Sequence, residues 1–139
     1  MPPLARAYIK TGMLFFAASF VLGSLLLLNA AVTLPPLVGA LQPTYFHLLM
    51  VGWVTQLIFG VVFWMFPRLS REQPRGSERL GWLTYYSLNA GLLLRLIAEP
   101  WNTVAPNPII AWLLPLSALL QLIAAWVFVA NTWGRVKGK

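Results

Sequence analysis

Cysteine is missing from all 139 residues, aspartate is missing too, and histidine occurs once. Without a thiol the chain can form no disulfide, zinc-thiolate site or iron–sulfur cluster, and it has no thiol nucleophile. Three glutamates are its only acids, no second histidine exists, and no P-loop is present. Metallohydrolase, protease and nucleotide-driven chemistry therefore lack their parts. Charge of either sign is scarce, at 9% of residues. A soluble domain carries about a quarter. So little polar surface cannot coat a soluble globule, whereas lipid covers apolar surface without a solvation penalty.

What is present is apolar: 59% of residues are hydrophobic, in a length that suits one domain, residues 1–139. The net charge of +7 would point to nucleic acid in a soluble chain. Here the basic residues fall into clusters between apolar runs, so membrane topology accounts for them and no nucleic-acid partner is expected. Four runs reach the ~20 residues that cross a ~30 Å hydrocarbon core. They are Thr11–Leu34, Thr44–Phe66, Leu80–Glu99 and Ile109–Trp133. Prolines punctuate them: Pro35-Pro36, Pro43, Pro67, Pro100, Pro106 and Pro108 stand at their ends, where proline is tolerated or stops a helix. Pro115 is internal and predicts a kink in the last helix. The first run is too long for a signal h-region and no A-x-A site follows it, so it reads as a membrane helix.

Orientation follows from the basic clusters. Arg6 and Lys10 precede the first run, Arg68, Arg71, Arg75 and Arg79 separate the second from the third, and Arg135, Lys137 and Lys139 follow the fourth. The segments 35–43 and 100–108 hold no Lys or Arg. The positive-inside rule places the three clusters in the cytoplasm. Tyr8, Trp64, Trp82 and Trp133 serve as inner aromatic anchors, and Tyr45, Trp101 and Trp112 as outer ones. The predicted fold class is all-α: an integral membrane four-helix up-down bundle with N and C termini cytoplasmic. Small residues such as Gly12, Gly23, Gly52, Gly60 and Gly91 allow close helix approach. Loops this short hold no separate active site, so any chemistry lies between helices or at a partner interface.

His47, in the first turn of the second run, is the sharpest candidate. An ionisable residue inside a membrane helix is costly and is a functional candidate by default, and a neutral imidazole is a good iron ligand. Arg95 and Glu99 are four apart on the third run, share a face and can pair. Asn29 lies towards the outer end of the first run, which completes an expected outer-leaflet polar cluster of His47, Arg95, Glu99 and Asn29. The plain alternative is a histidine bonded to interfacial water and an arginine snorkelling to the headgroups beside Glu99. Nine residues separate His47 from Gln56, about half a turn beyond two whole turns at ~3.6 per turn, which predicts opposite faces. Gln56 and Gln121 read as interhelical hydrogen-bond formers. The segment 68–79 reads as a solvated loop suited to anionic lipid headgroups.

The run FHLLMVGWVTQLIFGVVFWMFPR, ending at Arg68, resembles the second helix of the catalytic subunit of haem-copper oxidases and nitric oxide reductases. In that family a histidine near the outer end of this helix ligates a low-spin haem b, a run rich in glycine and phenylalanine follows, and a Pro-Arg-like boundary closes the helix. His47, then Gly52, Phe59 and Gly60, then Pro67 and Arg68 stand at the matching positions. The stretch Gly91–Pro100 resembles short four-helix proteins grouped with the same superfamily, and together the two cover about half the chain. The resemblance implies haem b on His47, with Arg95 as a propionate partner. It stops short of a haem-copper centre, which needs many more helices and several histidines. One histidine cannot supply both axial positions, so a bis-histidine haem requires a homodimer or a partner subunit. Met50 is three residues on and cannot reach the opposite face of the same iron.

The functional expectation is a small subunit of a respiratory or electron-transfer complex in a bacterial inner membrane, binding haem b through His47. The chain is expected to form a homo-oligomer or join a larger membrane complex, and to catalyse nothing alone. A cofactor-free accessory subunit and a quinone-binding module near His47 stand beside it.

Overall fold

The computed structural model describes residues 1–136; Lys137 and Lys139, which the topology reading assigned to the cytoplasmic side, lie outside them. The described residues form helices, turns and one isolated bridge between Pro74 and Gly76. Helix α1 spans Pro3–Ala31, α2 Pro36–Ala40 and α3 Gln42–His47. A π-helical segment, Leu48–Thr55, continues α3 into α4, Gln56–Met65. Helices α5, Glu78–Val104, and α6, Pro108–Thr132, complete the chain, with a closing 3₁₀ turn at Trp133–Arg135. Three long helical stretches, Pro3–Ala31, Pro36–Met65 and Pro108–Arg135, are long and apolar enough to cross a membrane. Helix α5 is as long, but it carries the polar side chains Thr84, Ser87, Asn89, Arg95 and Glu99, which lower its apolarity.

Several element ends differ from the sequence reading. Helix α1 begins at Pro3, eight residues before Thr11, because Pro3 starts a helix at its first position without losing a hydrogen bond. Arg6 and Lys10 therefore stand on the helix itself. The stretch 35–43 is not a plain loop but contains α2, opened by Pro36. Helix α5 runs through Pro100 to Val104 rather than stopping at Glu99; Pro100 is buried inside it. Ser77 caps its start, its Oγ accepting from Leu80 N–H at 3.4 Å, and Asn107 caps α6 by accepting from Ile109 N–H at 2.9 Å.

The contacts define the register. A methyl group added at Gly60 would lie 2.9 Å from Tyr8 Cβ, at Gly52 2.8 Å from Phe15 Cβ, and at Gly23 3.1 Å from the Tyr45 ring. Rising numbers on α1 thus meet falling numbers on the second long helix, so the two run antiparallel. Gln56 faces Asn89 and His47 faces Arg95, so that helix is antiparallel to α5 as well. Ser117 Oγ donates to Gly91 O at 2.6 Å while Asn131 meets Ser77, which makes α5 and α6 antiparallel. Gly91 allows this: a methyl there would stand 2.8 Å from the Ser117 carbonyl oxygen.

The core lies at the end of the molecule where α1 begins. Leu4, Tyr8, Phe63, Leu88 and Ala124 are buried together. Tyr8 is thus a core residue rather than an interfacial anchor; its hydroxyl donates to Gly81 O at 3.4 Å and its ring packs edge-on against Phe59 and Tyr85. Phe59 stacks on Phe128 of α6 at 3.7 Å between ring centroids. Below this core the segment 66–77 folds back on the bundle. Asn131 holds it from α6, its Oδ1 accepting from Ser77 N–H at 2.8 Å and its Nδ2 donating to Ser77 O at 3.1 Å. Gly76 beside it adopts φ +75°, in contact with Asn131. Elsewhere large apolar side chains face outward, including Met13, Leu27, Ile109, Trp112 and Trp126. Lipid is the medium in which such a surface is stable.

Candidate functional site

At the opposite end from the core, the second long helix brings His47 against α5. The imidazole is fixed from both nitrogens. Nδ1 lies 2.8 Å from Pro43 O, one turn back on its own helix, and Nε2 lies 2.7 Å from Arg95 Nη1. A guanidinium offers only donors, so Nε2 accepts and Nδ1 carries the proton. The ring in this arrangement is the neutral Nδ1–H tautomer. Glu99 completes a triad: its Oε2 is 3.4 Å from His47 Nδ1 and its Oε1 is 4.0 Å from Arg95 Nε. Neither is a hydrogen bond: Nδ1–H is directed at Pro43 O, and 4.0 Å is too long for one, so only Arg95 and Glu99 face each other as opposite charges. The side chains of His47, Arg95 and Glu99 are 28%, 23% and 17% exposed.

Three buried side-chain polar atoms have no hydrogen-bond partner among the described residues: Thr44 Oγ1, Arg95 Nε and Glu99 Oε2. Two belong to the triad, and Thr44 sits three residues before His47 on the same helix. Unsatisfied buried polar atoms cost about 1–3 kcal/mol each, and native proteins keep few of them. Their concentration here makes this end of the bundle the candidate site.

The sequence-predicted residues are not all together. His47, Arg95 and Glu99 meet, but Asn29 does not join them. Its Oδ1 accepts from Leu34 N–H at 3.2 Å, capping the turn after α1, and the residue lies beside Gly39 of α2. Gln56 departs from expectation in phase alone. An α-helical phase turns it away from His47, yet both meet α5, and Gln56 makes the interhelical bond expected of it, its Nε2 donating to Asn89 Oδ1 at 3.0 Å. The cause is the π segment between them. An i→i+5 ladder turns less per residue than an α-helix, which removes the half-turn the α-helical phase predicts. Thr55 Oγ1 donates to Met50 O, five residues back, at 2.9 Å and so satisfies a carbonyl of the widened ladder. Gln121 donates along its own helix to Ser117 Oγ at 3.3 Å, and it is Ser117 that bridges to α5.

A π segment beside a polar cluster recurs at functional sites. The triad joins a neutral nitrogen base, a fixed cation and a carboxylate in a mostly apolar setting. Such a group can hold a metal through the imidazole or pair an anionic ligand through the guanidinium. Among the described residues no group of three or more His, Cys, Asp or Glu side chains gathers to hold a bare metal ion. No protein family matches this chain, and neither a curated protein nor a solved structure does.

Proposed function

We propose that the chain is an integral membrane subunit of an electron-transfer complex in a bacterial cytoplasmic membrane, with the His47 triad as its functional site. In this reading all four long helices cross the bilayer as an up-down bundle with both termini cytoplasmic, α5 being tolerated because its polar groups face the bundle. The observation that carries the site is the gathering of unpartnered buried polar atoms around an anchored neutral imidazole.

Haem b fits these residues on one condition. Anchoring Nδ1–H on a backbone carbonyl is how a metal-ligating histidine is oriented, and Pro43 O does this for His47. Arg95 now holds the ligating nitrogen, Nε2. Arg95 must leave it, and a haem propionate is a partner that draws a guanidinium away by a bidentate, charge-assisted bond. His47 would then hold the iron and Arg95 the propionate. Bound haem supplies one-electron chemistry; the protein supplies the ligand, the counter-charge and a dry setting. The cofactor-free accessory subunit is the second reading, favoured by that same Arg95 contact, which already satisfies His47 without a ligand.

Optical spectra of the detergent-purified protein, oxidised and dithionite-reduced, separate the two. The expected result is a Soret band with sharpened reduced α and β bands, absent in His47→Ala. A colourless parent protein after expression with ample haem supports the accessory subunit and removes haem from the isolated chain. Topology has its own test, simplified by the lack of native cysteine. A cysteine placed at Gln73 should react with a membrane-impermeant maleimide only from the cytoplasmic side, and one at Thr103 only from the outside. Labelling of both from one side overturns the up-down arrangement.

A further inference from the structure

We infer that the chain carries a second site, a lateral groove for a neutral flat-headed amphiphile of the quinone class, between the C-terminal half of α1 and the α2–α3 pair. The groove encloses about 570 Å³, within the ~300–1,000 Å³ typical of small-molecule sites. It is separate from the His47 triad. His47 meets Arg95 of α5, whereas Tyr45 and Phe46 line the groove, with Tyr45 against Gly23 of α1.

Its chemistry selects the ligand. No charged side chain lines it, so a phosphate or carboxylate finds no counter-charge. The polar groups it offers are uncharged and include donors, although Ser24 already gives its hydroxyl proton to Phe20 O. Asn29 spends Oδ1 on Leu34 N–H, which leaves Nδ2 as its free end. The Gln42 amide and the Tyr45 hydroxyl also line the groove, and neither is engaged in a hydrogen bond within the described residues. Amide N–H and phenol O–H groups facing an uncharged pocket suit the carbonyl oxygens of a neutral ring. Flat walls come from Phe20, Tyr45 and Phe46, the last two rings 5.2 Å apart between centroids at 63°. The groove also opens sideways: Phe20 and Leu27 on α1 are 60% and 76% exposed. An apolar tail can therefore leave the groove directly into the acyl phase, where such a ligand is dissolved.

The test uses the full chain in phosphatidylcholine nanodiscs, with decylubiquinone as probe and empty nanodiscs as reference. Retained quinone is measured by chromatography after gel filtration. The expected result is saturable retention near one quinone per chain above the empty-disc level. Tyr45→Phe, which keeps the ring and removes one hydroxyl, should weaken binding about fivefold. Ser24→Phe, which fills the groove, should weaken it at least about tenfold. Should Ser24→Phe fail to fold, Tyr45→Phe and Gln42→Ala decide. Retention that rises linearly and equals that of empty discs overturns the inference, as does unchanged affinity in the folded variants. Phospholipid that stays in the groove against excess quinone overturns it too. The inference does not rest on haem: the optical spectrum reports His47 and the quinone titration reports the groove, so each can fail alone.

Discussion

Replacing Arg135 with alanine is expected to lower the thermal midpoint of the detergent-purified protein by about 10 °C, a loss of about 3 kcal/mol. Arg135 is fully buried at the end of the last turn among the described residues. Its Nη2 donates to Phe66 O at 2.8 Å and Phe63 O at 3.2 Å, and its Nε to Pro67 O at 3.1 Å. The Phe63 and Phe66 carbonyls stand at the C-terminal end of α4, where they lack a partner within the helix and carry the negative end of its dipole, and Pro67 O follows directly after it. A guanidinium is a cation with a planar fork of donors, so it answers both needs at once. Its carbon also lies 6.0 and 5.9 Å from the ring centroids of Phe63 and Phe66. A fourth, longer bond of 3.5 Å reaches Arg75 O and ties the 66–77 segment to the same group. Loss of Arg135 should therefore also speed tryptic cleavage at Arg71 and Arg75. Arg135→Lys should fall between parent and alanine, since an ammonium keeps the charge but not the fork. A midpoint within about 2 °C of the parent in Arg135→Ala sinks this account.

Arg135 also shows what sequence reading misses. As a letter it belongs to a C-terminal run of basic residues, which reads as a topology signal at the membrane surface. Nothing local says that its side chain turns back between helices, because its partners are carbonyls 60 to 72 residues away. Proline placement, by contrast, is local chemistry, and Pro3, Pro36 and Pro108 each open a helix. The exceptions are Pro100 and Pro115, which lie inside α5 and α6, where the helix continues past the missing N–H.

The site was legible in part for the same reason. Arg95 and Glu99 are four apart on one helix, so their shared face follows from helical geometry. His47 at the matching depth follows from its place just after Pro43. The fault came in phase. A π segment has no residue signature comparable to a cap or a proline, and the run Leu48–Thr55 is uniformly apolar apart from Gly52 and Thr55. Treating it as α-helix sent Gln56 to the wrong face. Asn29 is lost to the cluster for a different reason: the turn at Leu34 claims its side chain.

The other large effect expected is at Arg95, and it takes the form of a cycle rather than a single loss. Arg95→Leu should destabilise the protein by about 3 kcal/mol, because it leaves the Glu99 carboxylate, 17% exposed, without its cation. Arg95→Leu combined with Glu99→Leu should recover at least half of that loss. Exchanging an ion pair withdrawn from water for apolar side chains is often neutral, and this pair is largely withdrawn. What the double variant still lacks is the donor on His47 Nε2, a cost of about 1 kcal/mol. Midpoints of the four proteins give the coupling directly. Losses that simply add would mean that the two charges do not sense each other, and the 4.0 Å separation of Nε and Oε1 would then be incidental. A double variant close to the parent has the more useful meaning. The fold would not need these charges, and their remaining contact is with His47. The same double variant carried into the optical experiment should then bind haem more weakly than the parent, because the cation that serves a propionate has gone.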